Sequence, residues 1–140
     1  MAEEKEQAEA VQQYNGLTLA YIGDAVFEMY VRLHLLERGL TQPQKLHQLA
    51  KGYVSAQAQA KVLSHWLETG ELKAEEVAIV KRGRNAKPRS IPRHTDPATY
   101  SLSTAFESLI GFLYLANRRA RLEELIEKAY SVLEGNGTLA

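Results

Sequence analysis

The chain has 140 residues, 45% of them apolar, and its 17 Lys plus Arg balance 17 Asp plus Glu. That length suits a single globular domain spanning 1–140, and zero net charge gives no bulk attraction to nucleic acid. The lack of cysteine excludes disulfides and thiolate metal sites. No signal-peptide pattern and no membrane-length apolar run is visible, so a cytoplasmic protein with no membrane partner is expected.

The N-terminal MAEEKEQAEA is polar and acidic. A first long helix is predicted over about Leu17 to Glu37, with Asn15 and Gly16 before it and Gly39 after it. It is apolar on most faces and should be central and buried. A second helix begins near Pro43 and ends before Gly52. A third runs from Ser55, a candidate N-cap, to Glu68, and carries Trp66 as a core residue. A fourth covers Ala74 to Arg82 and stops at Gly83. A loop from about Asn85 to Pro97 holds three prolines. A fifth helix spans Thr99 to Ala116 and a last one Arg119 to Leu133. Strand signals are nearly absent. The expected fold is all-α, a compact bundle of about six helices.

Two residues stand out against this pattern. Asp24 lies in YIGDAVFE, among apolar residues in mid-helix, next to Gly23. Asp is a poor interior helix former, and an unpaired buried carboxylate is costly, so it needs a cation, a metal or donors. The plainer alternative is a solvated acid, with Glu28 and Arg32 forming an i,i+4 ion pair. Glu107 lies in STAFESLIGFLYL beside the stripe Phe106, Leu109, Ile110 and Leu113, with Gly111 one turn on. If the glycines let the two helices cross closely, the carboxylates face each other and repel unless a divalent cation lies between them. Hard oxygen ligands favour Mg²⁺, with Mn²⁺ as the alternative. Such an ion suits phosphodiester hydrolysis.

The charge is unevenly distributed. From Lys81 to Arg93 the chain carries Lys81, Arg82, Arg84, Lys87, Arg89 and Arg93 and no acid. With Asn85 these form a candidate RNA-binding surface. His34, His47 and His65 form no ligand pattern, and His94 belongs to the basic loop. A second basic cluster, Arg118, Arg119 and Arg121, either extends the RNA surface or is solvated, and the solvated reading is preferred. Phe27 and Tyr30 suit either the core or an interface.

LAYIGDAVFEMYV resembles the signature of the ribonuclease III family, and AFESLIGFLYL resembles that family's second acidic segment. The order and separation also agree, over roughly Leu17 to Leu115. The lone domain and RGRNAK look like the short bacterial branch of the family, with no double-stranded-RNA-binding domain expected. The resemblance implies that Asp24 and Glu107 serve a Mg²⁺-dependent catalytic site. It further implies cleavage of double-stranded RNA by a homodimer, leaving a 5′-phosphate, and a role in maturation of 23S ribosomal RNA precursor. Other acids of the long enzymes fall here on Leu17, Ala20 and Thr104, so the carboxylate set is reduced. Two rival readings remain at this point: a catalytically silent RNA-binding module on the same fold, and a helical protein-interaction domain.

Overall fold

The structure is a computed structural model that describes residues 2–86, 90–91 and 93–135. Among these residues there are seven α-helices and no strand. They are α1 (Ala2–Gln12), α2 (Gly16–Glu37), α3 (Pro43–Val54), α4 (Ala56–Thr69), α5 (Ala74–Asn85), α6 (Pro97–Leu115) and α7 (Arg119–Glu134). None is long and apolar enough to cross a membrane.

Local chemistry sets most of the ends. The Asn15 side chain accepts from the Thr18 N–H at 2.8 Å and starts α2. Ser55 caps α4 by accepting from the Ala58 N–H at 3.2 Å, as expected from the sequence. Asp96 accepts from the Thr99 N–H at 2.9 Å, and Pro97 occupies the first turn of α6. Helix α4 ends on Gly70, whose left-handed φ of 69° favours glycine.

Helix α6 starts at Pro97 rather than at the expected Thr99, and three further features differ from the sequence reading. Helix α1 was not expected as a helix, because it buries only a narrow face, Ala8 and Val11. It docks through the Gln7 side-chain amide, which donates to the Leu115 carbonyl at 2.9 Å. Helix α3 continues through Gly52 to Val54. Helix α5 runs through Gly83 to Asn85. Gly83 is there for contact: a Cβ on it would lie 2.7 Å from the Ala105 Cα.

The bundle is organised around α6, which packs most extensively on α2 and also on α5 and α4. Phe106, Leu109, Ile110 and Leu113 are fully buried. Phe106 meets Phe27 edge-on at 4.9 Å and stacks on Trp66 at 5.6 Å. Trp66 is thus a core residue, and so is Phe27.

The second basic cluster departs from expectation. Arg121 is not solvated. Its Nε and Nη2 donate at 2.8 Å to the two carboxylate oxygens of Glu76, a residue only 2% exposed. This two-pronged pair ties α7 to the start of α5. Arg118 pairs with Glu75, and the Arg119 guanidinium lies over the Tyr114 ring at 5.1 Å.

Helices α2 and α6 cross with glycine on both sides. A Cβ on Gly23 would sit 1.8 Å from the Glu107 carbonyl oxygen, and one on Gly111 would sit 2.0 Å from that of Leu19. Both contacts are with backbone, which cannot rotate away. Gly23→Ala and Gly111→Ala should each cost about 3 kcal/mol, the upper end of overpacking penalties, despite the better helix propensity of alanine. Urea unfolding checks this; an unchanged midpoint would contradict the geometry.

Candidate active site

The glycine crossing determines where the two singled-out acids lie. Gly23 rests against the carbonyl of Glu107, so Asp24, the next residue, is delivered to the same spot. The two side chains lie close enough to share a hydrogen bond. Residues 83 positions apart in the chain thus form one carboxylate pair. The sequence reading anticipated this meeting and left open whether Asp24 is buried or solvated. Asp24 is exposed, whereas Glu107 is half-buried and carries the desolvation. Glu28 and Arg32 do form the expected i,i+4 ion pair at 2.8 Å, so the Arg32 guanidinium is already engaged by Glu28.

Burial first, and then the Asp24 carboxylate, push the Glu107 carboxyl up from its ordinary 4.5 to about 9. Gln59 of α4 acts in the opposite direction. Its Nε2 donates to Glu107 Oε2 at 3.5 Å, and its Oε1 accepts from Ser103 Oγ at 2.7 Å. Sequence reasoning missed Gln59. The signal was present, because Gln59 shares a helical face with Val62, Leu63 and Trp66, and a polar residue there needs partners.

The pair suits a hard divalent cation. Two carboxylates that cannot both ionise unaided are a donor set completed by positive charge, and one of them is open to solvent. Asp24 and Glu107 are the residues that would hold it. Among the described residues no group of three or more His, Cys, Asp or Glu is placed to bind metal. Leu17 and Thr104 supply no carboxylate, and Ala20 and Thr104 are buried. The remaining ligands of such an ion would be water or substrate oxygen.

The basic residues separate into two groups. Lys81, Arg84 and Asn85 are exposed at the end of α5 and share a shallow groove with Ala98 and Ser101 of α6. Arg93 and His94 are exposed further on. Lys87 and Arg89 lie outside the described residues. Arg82 turns the other way. Its two terminal nitrogens donate to the backbone carbonyls of Gln12 and Tyr14, bracing the α1–α2 junction. Its sequence neighbours gave no sign of this, because the contact spans about 70 residues.

Comparison with known proteins identifies the family. The family described as Ribonuclease III domain matches residues 17–118, a span that contains both acids and both crossing glycines. The chain belongs to the ribonuclease III family. Such membership makes it an endoribonuclease. Mini-ribonuclease 3 of Enterococcus faecalis is 48% identical over 114 residues, 81% of this chain and 86% of that protein. Mini-ribonuclease 3 of Staphylococcus aureus is 44% identical over 130 residues, 93% of this chain and 97% of that one. A crystal structure of a Fusobacterium nucleatum protein superposes with a TM-score of 0.74 at 31% identity, covering 84% of this chain and 92% of its own.

The raised carboxyl has a consequence for stability in metal-free buffer. The folded chain keeps the Glu107 proton to higher pH than the unfolded chain does. Its contribution is complete below the ordinary 4.5 and is lost as pH rises toward about 9. Glu107→Gln carries no titrating proton, so it should gain on the parent chain as pH rises. Urea midpoints at about pH 5 and about pH 8 test this, and a parallel pH dependence in the two proteins would refute it.

Proposed function

We propose that the chain cuts double-stranded RNA as a homodimer, using Mg²⁺ held between Asp24 and Glu107. Mn²⁺ suits the same oxygens. The observation that carries this reading is the carboxylate pair at the glycine crossing. A protein without hydrolytic chemistry gains nothing from a desolvated acid beside a second acid, which argues against a silent RNA-binding module. Bound there, the ion supplies an acidified water and charge stabilisation at the scissile phosphate. Asp24, open to solvent, faces the substrate side, and Glu107 anchors from the interior.

Lys81, Arg84, Asn85 and Arg93 lie on the accessible surface and suit contacts to duplex phosphates, which are read by shape rather than by base edges. Lys87 and Arg89 join them from the sequence. Arg82 adds field rather than a direct contact, since its terminal nitrogens are already engaged. Within this domain, dimerisation and these charges supply the affinity.

The homodimer reading rests on α2. Tyr21, Met29, Leu33 and Leu36 are 79%, 47%, 47% and 50% exposed. With exposed Ala25 they form one apolar stripe at helical spacing, running past Asp24. A second copy laid on this stripe sets two carboxylate pairs along one duplex. We extend the reading to maturation of 23S ribosomal RNA precursor in the cytoplasm, the role implied by resemblance to the short branch.

Asp24→Asn and Glu107→Gln should each slow cleavage of duplex RNA more than about 100-fold, since even outer-shell partners of a metal are worth 10- to 100-fold. Far-ultraviolet circular dichroism should stay unchanged. Full Mg²⁺-dependent activity in either variant would remove that residue from the site. Arg84→Ala should weaken duplex binding and reduce its salt slope by about one, whereas Arg82→Ala should mainly lower thermal stability. The same loss of affinity from both would contradict the division of labour between them. Met29→Glu combined with Leu33→Glu should give a monomer in sedimentation. A dimer that survives both charges has its interface elsewhere.

A further inference from the structure

Gln59 is 1% exposed, and its amide bridges two residues of α6 one turn apart. Ser103 lies on one side and Glu107 on the other. A buried amide costs more than an apolar side chain of the same length unless its polar atoms are used. Here both ends are used, and the chemistry fixes which way the amide faces. With a cation bound, the Glu107 carboxylate is ionised and only accepts, so the Nε2 end turns to Glu107 and the Oε1 end takes the Ser103 hydroxyl hydrogen. The Ser103 contact is short, at 2.7 Å, and locks the amide. The Glu107 contact is long, at 3.5 Å, and engages Oε2, not Oε1.

We propose that Gln59 is a positioning residue for the metal site: held at one end by Ser103, its amide sets the orientation in which the Glu107 carboxylate meets the ion. The chain of contacts runs from Ser103 through Gln59 to Glu107, so α4 steers an acid carried by α6. Gln59 touches neither ion nor RNA. Its effect is therefore felt first in metal affinity. This rests on the reading of Asp24 and Glu107 as the metal pair.

The test is Mn²⁺ binding to the full chain without RNA, followed by electron paramagnetic resonance, with thermal melting alongside. Gln59→Met keeps length and removes the donor; Ser103→Ala removes the lock. Both should weaken Mn²⁺ binding, Gln59→Met by roughly tenfold, the usual scale for an outer-shell partner. The double variant should lose no more than Gln59→Met alone, because Ser103 acts through Gln59. The Mg²⁺ concentration for half-maximal cleavage should rise in step. Unchanged Mn²⁺ affinity in folded Gln59→Met overturns the proposal, and so do additive losses in the double variant. If Gln59→Met does not fold, Ser103→Ala decides in the same way. Asp24→Asn separates the two levels. If it abolishes Mn²⁺ binding while the other variants keep it, the role of Gln59 fails alone. If it leaves binding intact, the carboxylate pair is not the metal site and the proposal falls with it.

Discussion

The site depends on the contact of bare backbone with bare backbone at the α2–α6 crossing. Gly23 meets the Glu107 carbonyl and Gly111 meets the Leu19 carbonyl, so each helix is seated on the other with no side chain between them. Helices normally pack 8–10 Å apart, a spacing set by the side chains at the contact. Here the side chains are absent at the closest points. The separation of the acids is therefore governed by main chain, the stiffest part of the structure. The buried faces on either side, Phe27 and Val31 of α2 with Phe106 and Ile110 of α6, press the crossing together.

That closeness has an electrostatic cost that the fold directs to one member of the pair. Asp24 keeps its water; Glu107 loses much of it and gives up its charge near neutrality. In isolation the arrangement is a small source of instability. It makes sense where a cation supplies the missing charge, because the work of assembling the acids is then done by folding rather than by binding. Gln59 partly offsets the cost from α4, and Ser103 holds Gln59 in place. The site is asymmetric as a result, with one open acid and one acid held by a buried polar chain.

Much of this was legible in the sequence, for reasons that can be named. An acid and a glycine in the middle of two apolar helices are locally unfavourable choices, and both prove to belong to one crossing. The Asn15 and Ser55 starts were readable because capping is local chemistry, whereas α6 begins at Pro97, two residues before the expected Thr99. What was not legible depended on distant partners. Gly83 reads as a stop signal until Ala105 is seen against it. Arg121 reads as solvated until Glu76 is found, and Arg82 reads as an RNA contact until its guanidinium is seen on α1. Which acid is buried also depends on neighbours from other helices, such as Gln59. Helix α1 was hidden because two buried residues leave almost no periodic signal.

The attachment of α1 bears on the order in which the chain assembles. It leaves the ribosome before α2 to α7, yet the groups that hold it include Arg82 and the carbonyl of Leu115. It must wait, undocked, until most of the polypeptide has been synthesised. The same delay applies to α2, whose partner α6 ends the long middle section. Closure of the loop between them precedes any reward from their contact, so this small helical protein should fold more slowly than its helix content suggests.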